Sequence, residues 1–157
     1  TFRLHWFTGA ANAYRTLSPE QRAMLDPGFA EVCREGLEIT LPDYQDAIRA
    51  REALGLEVNQ LLDRYDLLLT PAMPTAAFDA GIEVPEGSGM RRWTEWTAFS
   101  YPFNLSQHPA ASVPCGFTQD GLPSGLQIVG QKYREDKVLR ASAAYEALCP
   151  FKMPTPE

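Results

Sequence analysis

Lysine is scarce in this sequence. Only Lys132, Lys137 and Lys152 occur among 157 residues, and the formal net charge is −6 with a pI near 4.9. A chain this acidic lacks the clustered Lys and Arg that grip phosphate backbones, so a nucleic-acid partner is not expected. Histidine is scarcer still, with His5 and His108 alone, and neither HExxH nor CxxC occurs; no metal site is expected. The cysteines Cys33, Cys115 and Cys149 are odd in number and far apart, which argues against a disulfide framework. Without a G-x-G-x-x-G or G-x-x-x-x-G-K-S/T run there is no glycine cradle for a nucleotide, and no cofactor is expected. No apolar run approaches the roughly 18 to 20 residues of a membrane span, and the first residues do not read as a signal segment. The expected compartment is the cytoplasm, with no membrane partner.

What is present is a soluble composition, 45% hydrophobic and 22% charged, enough for one modest core in a chain about one domain long. The chain begins Thr1-Phe2-Arg3 without methionine, the look of a processed or trimmed product. In TLSPEQRAML, Ser18 is placed as a helix N-cap, Pro19 suits the first helical position, and Gln21 completes a capping box. A further helix is expected after Pro27 and Gly28, on Phe29, Val32, Cys33 and Leu37. The longest helix is expected from about Pro42 to Arg64, where Tyr44, Ala47, Ile48, Leu54, Val58, Leu61 and Leu62 recur three or four apart. Leu67, Leu68 and Leu69 then form an apolar run ended by Thr70-Pro71, the pattern of a strand buried on both faces.

Residues 71–92 carry prolines and glycines without a period, as a functional loop or a disordered connection would. Trp93, Trp96, Phe99 and Tyr101 read as a helix up to Pro102. Two strand-like runs flank Asp120-Gly121, a dipeptide that favours a hairpin turn, and Pro114 with Gly116 puts the first of them at an edge or bulge. EDKVLRASAAYEALC reads as a closing helix that stops before Pro150. The fold class is α/β.

His108 and Ser112 stand four apart and invite a serine-hydrolase reading, because a hydroxyl needs an adjacent base to become nucleophilic. GLPSG at 121–125 places its serine one step late for the G-x-S-x-G elbow, so no self-contained triad is expected. His108 reads as a loop residue satisfied by its neighbours. Cys115 has no Lys or Arg close in sequence to lower its pKa and reads as structural.

Three blocks, RYDLLLTPAMPTAAFDAG, PFNLSQHPAASVPCGF and DGLPSGLQIVGQKYREDKVLRASAAYE, closely resemble in order and spacing the C-terminal part of amidase signature enzymes. The resemblance is strong over Arg64 to Ala147 and loose from about Leu25 to Asp63. It implies the C-terminal part of the amidase signature fold, helices covering a mixed β-sheet, with a helical part at about 1–64 and a strand and hairpin part at about 65–150. It also implies amide hydrolysis by a serine nucleophile, a second serine in a cis peptide and a proton-shuttling lysine. Those residues lie upstream in the family; this chain has no GGSSGG-like run and no matching lysine, so no catalytic residue carries over and the chain alone is expected to be inactive.

In the family pattern N-x-x-G-x-P-A-x-S-V-P-x-G, the residues Asn104, Pro109, Ala110, Ser112, Val113, Pro114 and Gly116 match, and the stretch marks a passage from helix to strand. Gln107 stands where the family usually has glycine. Thr97 stands where the family's tRNA-dependent amidotransferase subunits carry an aspartate for the substrate amino group, which points to a small neutral amide instead. Candidate substrate-binding residues are therefore Trp96, Thr97, Gln107 and His108. Two readings follow. In the first, the chain is the C-terminal segment of an amidase, partnered by the N-terminal part of that domain and by the amide. In the second, it is a free-standing, non-catalytic binding or assembly module. A sheet cut from a larger domain should expose an edge and a patch that associate, so homo-oligomers would fit the first reading and clean monomers would weaken it, while an exposed apolar face would favour the second.

Overall fold

The computed structural model describes residues 1–152. Two compact units divide the chain, Thr1–Leu54 and Gly55 onward.

The first unit is helical. Helix α1 (Phe2–Arg15), which the sequence patterns above do not announce, packs on α3 (Pro27–Leu37), with the short α2 (Pro19–Ala23) between them in sequence. Ser18 caps α2 as expected: its hydroxyl accepts from the Gln21 amide at 3.3 Å while the Gln21 side chain accepts from the Ser18 amide at 2.8 Å. Asp26 caps α3 by accepting from the Phe29 amide at 2.9 Å. Phe7, Ala10, Val32 and Cys33 form the core, with Tyr14, Phe29 and Ile39 packed around it. The α1 and α3 backbones approach so closely that a Cβ on Gly36 would sit 2.0 Å from the Phe7 carbonyl oxygen. His5 is occupied structurally, donating from Nε2 to the Ala47 carbonyl at 3.2 Å and lying edge-on to Tyr44.

Helix α4 (Leu41–Leu62) begins in the first unit and ends in the second, close to its expected span. In the second unit, Val58 and Leu62 are its buried residues besides Gly55. Three strands follow, β1 (Leu67–Pro71), β2 (Ala110–Phe117) and β3 (Pro123–Gly130), in the order β1-β3-β2. Both pairings are antiparallel, which corrects the mixed sheet expected above: among the described residues there is no parallel pair. The physical reason lies in β3, which turns back on β2 through the hairpin and also runs opposite to β1. Nor is β1 buried on both faces. It is an edge strand, and Leu69 is 57% exposed. The hairpin forms at the expected place, with Gly121 at φ 78°, and β2 is both an edge strand and bulged between Pro114 and Gly116.

Helix α6 (Glu135–Leu148) covers one face of this sheet, where Val113, Ile128 and Val138 meet Leu67, Ala111, Leu126, Ala141 and Tyr145. The expected helix from Trp93 to Pro102 is absent. Trp93–Glu95 is a single 3-10 turn, and α5 runs instead from Tyr101 to Ser106 with Pro102 in its first turn. A proline there lacks an N–H that would have no helical partner anyway, so it starts a helix as readily as it stops one.

Gln107 ends α5 in the left-handed conformation, φ 61° and ψ 35°, which explains a family preference for glycine at this position. His108, next in the chain, is buried and ties three segments together. Its Nε2 donates to the Asn59 side-chain oxygen at 3.0 Å, and its Nδ1 accepts from the Ser106 hydroxyl at 2.8 Å. Burial above all, then the charge of Lys132, holds its pKa below the ordinary imidazole value against an opposing hydrogen bond with Ser106.

Three outcomes follow for stability, each measured by urea unfolding. Gly36→Ala is expected to cost about 2 kcal/mol or more, since the added methyl meets backbone rather than a movable side chain. Gln107→Gly is expected to stabilise by about 0.5 to 1 kcal/mol by relieving the left-handed strain. For His108, the folded pKa lies below the unfolded one, so stability is unaffected at higher pH. Below about 6.5 it falls as the unfolded chain takes up the proton first, with a slope of up to about 1.4 kcal/mol per pH unit. His108→Gln is expected to remove that slope.

Candidate functional site

The second unit carries a cleft of about 900 Å³ between the end of β1, the segment after it, Trp96 and the β2–β3 hairpin. It arises from how each piece ends. Pro71 closes β1 and has no N–H to give; the Ala72 amide still donates to the Gly125 carbonyl at 2.8 Å, and from there the chain runs through Met73 to Phe78 along the rim. The proline-rich segment of 71–92 is thus a loop with a wall to form. The β2–β3 hairpin supplies the opposite side through Cys115, Thr118 and Pro123–Leu126.

Trp96 closes the cleft and is held there by the returning loop. Its Nε1 donates to the Glu83 carbonyl at 3.0 Å, the Phe78 ring meets it edge-on at 5.3 Å, and the Glu83 carboxylate accepts from the Trp93 amide at 3.1 Å. An aromatic fixed by both a ring contact and an N–H partner keeps its orientation. The remaining walls are apolar, chiefly Leu69, Met73, Phe78 and Leu126, with Thr70, Thr75 and Ser124 among them. No lining side chain is charged. Such a surface suits apolar, uncharged groups.

The four residues singled out from sequence are not gathered here. Trp96 lines the cleft; Thr97, Gln107 and His108 do not. Thr97 turns inward, bonding the Trp93 carbonyl at 3.3 Å and the Tyr101 hydroxyl, which itself donates to the Thr94 carbonyl at 2.8 Å. Burial pushes the Tyr101 phenol up, against the Thr97 hydrogen bond. Gln107 is exposed at the end of α5, and His108 is buried against Asn59 and Ser106. The hydroxyl that His108 meets is Ser106, 1% exposed, rather than Ser112. The order serine, histidine, asparagine looks like a nucleophile with its base and orienting group, yet a hydroxyl enclosed in the core reaches no substrate. Sequence reasoning missed Met73, Phe78 and Cys115. The proline-rich composition marks their region as loop, while which side chains face inward depends on the path of the loop. Among the described residues no three His, Cys, Asp or Glu side chains form a metal ligand set, and no helix is long and apolar enough to cross a membrane.

Comparison with known proteins bears on the whole of this region. The amidase family profile matches residues 11–139. An acylamidase of Rhodococcus erythropolis is 34% identical over 150 residues, covering 93% of this chain and 31% of the relative. A glutamyl-tRNA(Gln) amidotransferase subunit of Brevibacillus brevis is 40% identical over 114 residues, covering 73% of this chain and 23% of the relative. Among solved structures, a crystal structure of an amidase superposes with a TM-score of 0.80 at 33% identity, over 91% of this chain and 33% of that one. The chain therefore spans about a third, or less, of the length of the relatives it matches. The family profile spans the sheet and the loop beside the cleft, the backbone superposes over 91% of the chain, and the chain belongs to the amidase signature family.

Proposed function

We propose that this chain is the C-terminal segment of an amidase domain and forms one wall of the pocket for a small, neutral, apolar amide. Catalysis by a serine, a cis serine and a lysine, the family's mechanism, then rests on residues outside this sequence, in the N-terminal part of the same domain. The observation that carries the reading is the uncharged, apolar lining of the cleft, with Trp96 locked across it. Thr97 supports it further, because it stands where amidotransferase subunits hold an aspartate and its hydroxyl is engaged with Trp93 and Tyr101. On α6, Leu139 and Leu148 are 66% and 83% exposed, apolar surface that an enclosing domain would cover.

In this role the wall excludes water from the amide and orients it. Burying roughly 100 Å² of an aryl or alkyl group contributes about 2.5 kcal/mol, close to two powers of ten in affinity.

Tryptophan fluorescence tests this directly. Acetanilide is expected to quench the emission saturably, Trp96→Phe to abolish that quenching with Trp6 and Trp93 intact, and free glutamine to leave the emission unchanged. Quenching by glutamine, or none by acetanilide, would reject the neutral-amide pocket. The chain by itself is expected to bind without turnover; aniline release above the buffer rate would show that the catalytic groups lie within these residues.

A further inference from the structure

Two of the three cysteines lie at one corner of the second unit. Cys115 is the residue skipped in the β2–β3 pairing, between Pro114 opposite Gly125 and Gly116 opposite Ser124. A bulge re-aims the side chain it carries, and the exposed Cys115 thiol lines the cleft. Cys149 ends α6: its amide donates to the Tyr145 carbonyl at 2.8 Å and its thiol is exposed. Two residues beyond each cysteine stand Phe117 and Phe151, stacked with centroids 4.8 Å apart and 26° between their planes. That stack holds the chain leaving α6 against the strand end that carries Cys115. Tyr145 packs on the core under α6, and its phenol is pushed up by burial first and by Cys149 and Cys115 after it. Cys33, by contrast, is enclosed in the core of the first unit, where burial pushes its thiol up.

We propose that Cys115 and Cys149 are a redox-responsive thiol pair that closes to a disulfide by exchange with a small-molecule disulfide of the glutathione type. Closure ties the C-terminal end of α6 to the bulged rim of the cleft. One cysteine, as its thiolate, attacks a sulfur of the glutathione disulfide and expels a glutathione thiolate, leaving a mixed disulfide on the protein. The second cysteine, also as thiolate, attacks the protein sulfur of that mixed disulfide and expels the other glutathione. The two protons lost by the cysteines are taken up by the two glutathione thiolates. The protein pair is oxidised by two electrons and the small disulfide is reduced by two.

The test equilibrates the full chain with oxidised glutathione, blocks remaining thiols with iodoacetamide, digests without reduction and identifies the products by mass spectrometry. Expected is one peptide pair joining Cys115 to Cys149, lighter than its reduced parts by two hydrogen atoms and independent of protein concentration, with Cys33 unlinked. Cys115→Ser and Cys149→Ser, each shown to be folded by circular dichroism, are expected to lose the cross-link and to keep a glutathione adduct on the surviving cysteine. Stable glutathione adducts on both cysteines of the unaltered chain, a cross-link that joins two chains, or no reaction at either thiol would each overturn the proposal.

Discussion

Hydrogen bonding along both edges of β3 is the constraint on which the second unit depends. Paired to β1 on one side and β2 on the other, β3 is the strand whose last four residues, Gln127 to Gly130, are all buried. A strand enclosed in this way serves two faces at once. Ile128 points into the apolar layer under α6, while Gln127, one residue earlier, donates to the Thr70 hydroxyl at 2.9 Å and to the Phe99 carbonyl at 3.2 Å. A slip of one residue would exchange the two and leave a buried amide without partners, so the register is strongly specified. The position of the β2 bulge follows from that register, and with it the aim of Cys115 toward the cleft.

The cleft occupies what the sheet and its helix leave uncovered. Beyond Ala72, whose amide still donates to the Gly125 carbonyl at 2.8 Å, the loop is shaped by side chains that reach back to it. The Glu83 carbonyl and carboxylate meet Trp96 and Trp93, and the Phe78 ring meets Trp96. Behind this wall the Asn59, Ser106 and His108 bonds hold α4, α5 and the start of β2 in fixed relation. A neutral imidazole suits that task, since one ring nitrogen donates while the other accepts. His108 is buried and fastened to Asn59 and Ser106, while apolar side chains of the loop and hairpin line the cleft.

How much was legible follows from where each signal resides. The cap at Ser18, the long stripe of α4, the Asp120-Gly121 turn and the end of α6 before Pro150 are local rules, each complete within a few residues. They read correctly. The segment from Trp93 to Pro102 failed because its aromatic spacing mimics a helical stripe, whereas the Trp96 ring is placed by Phe78 and Glu83, and the Trp93 and Phe99 backbones are held by Glu83 and Gln127. Leu67 to Leu69 misled for a related reason. An apolar run shows that a strand is sticky on both faces, without saying whether another strand covers its far edge.

By itself the sequence determined the capped start of α2, the long α4, the closing α6 and the hairpin turn, the acidic character of the chain, and the three linked blocks that place it among amidases, because each is a matter of residue type at short spacing. Tertiary structure alone decided that the sheet is antiparallel, that His108 turns inward to Asn59, and that Trp96 and Cys115 share one cleft. Those outcomes depend on pairs as far apart as His108 and Asn59, 49 residues distant in the chain, and no local propensity encodes which of two faces a side chain finds once the strands have paired.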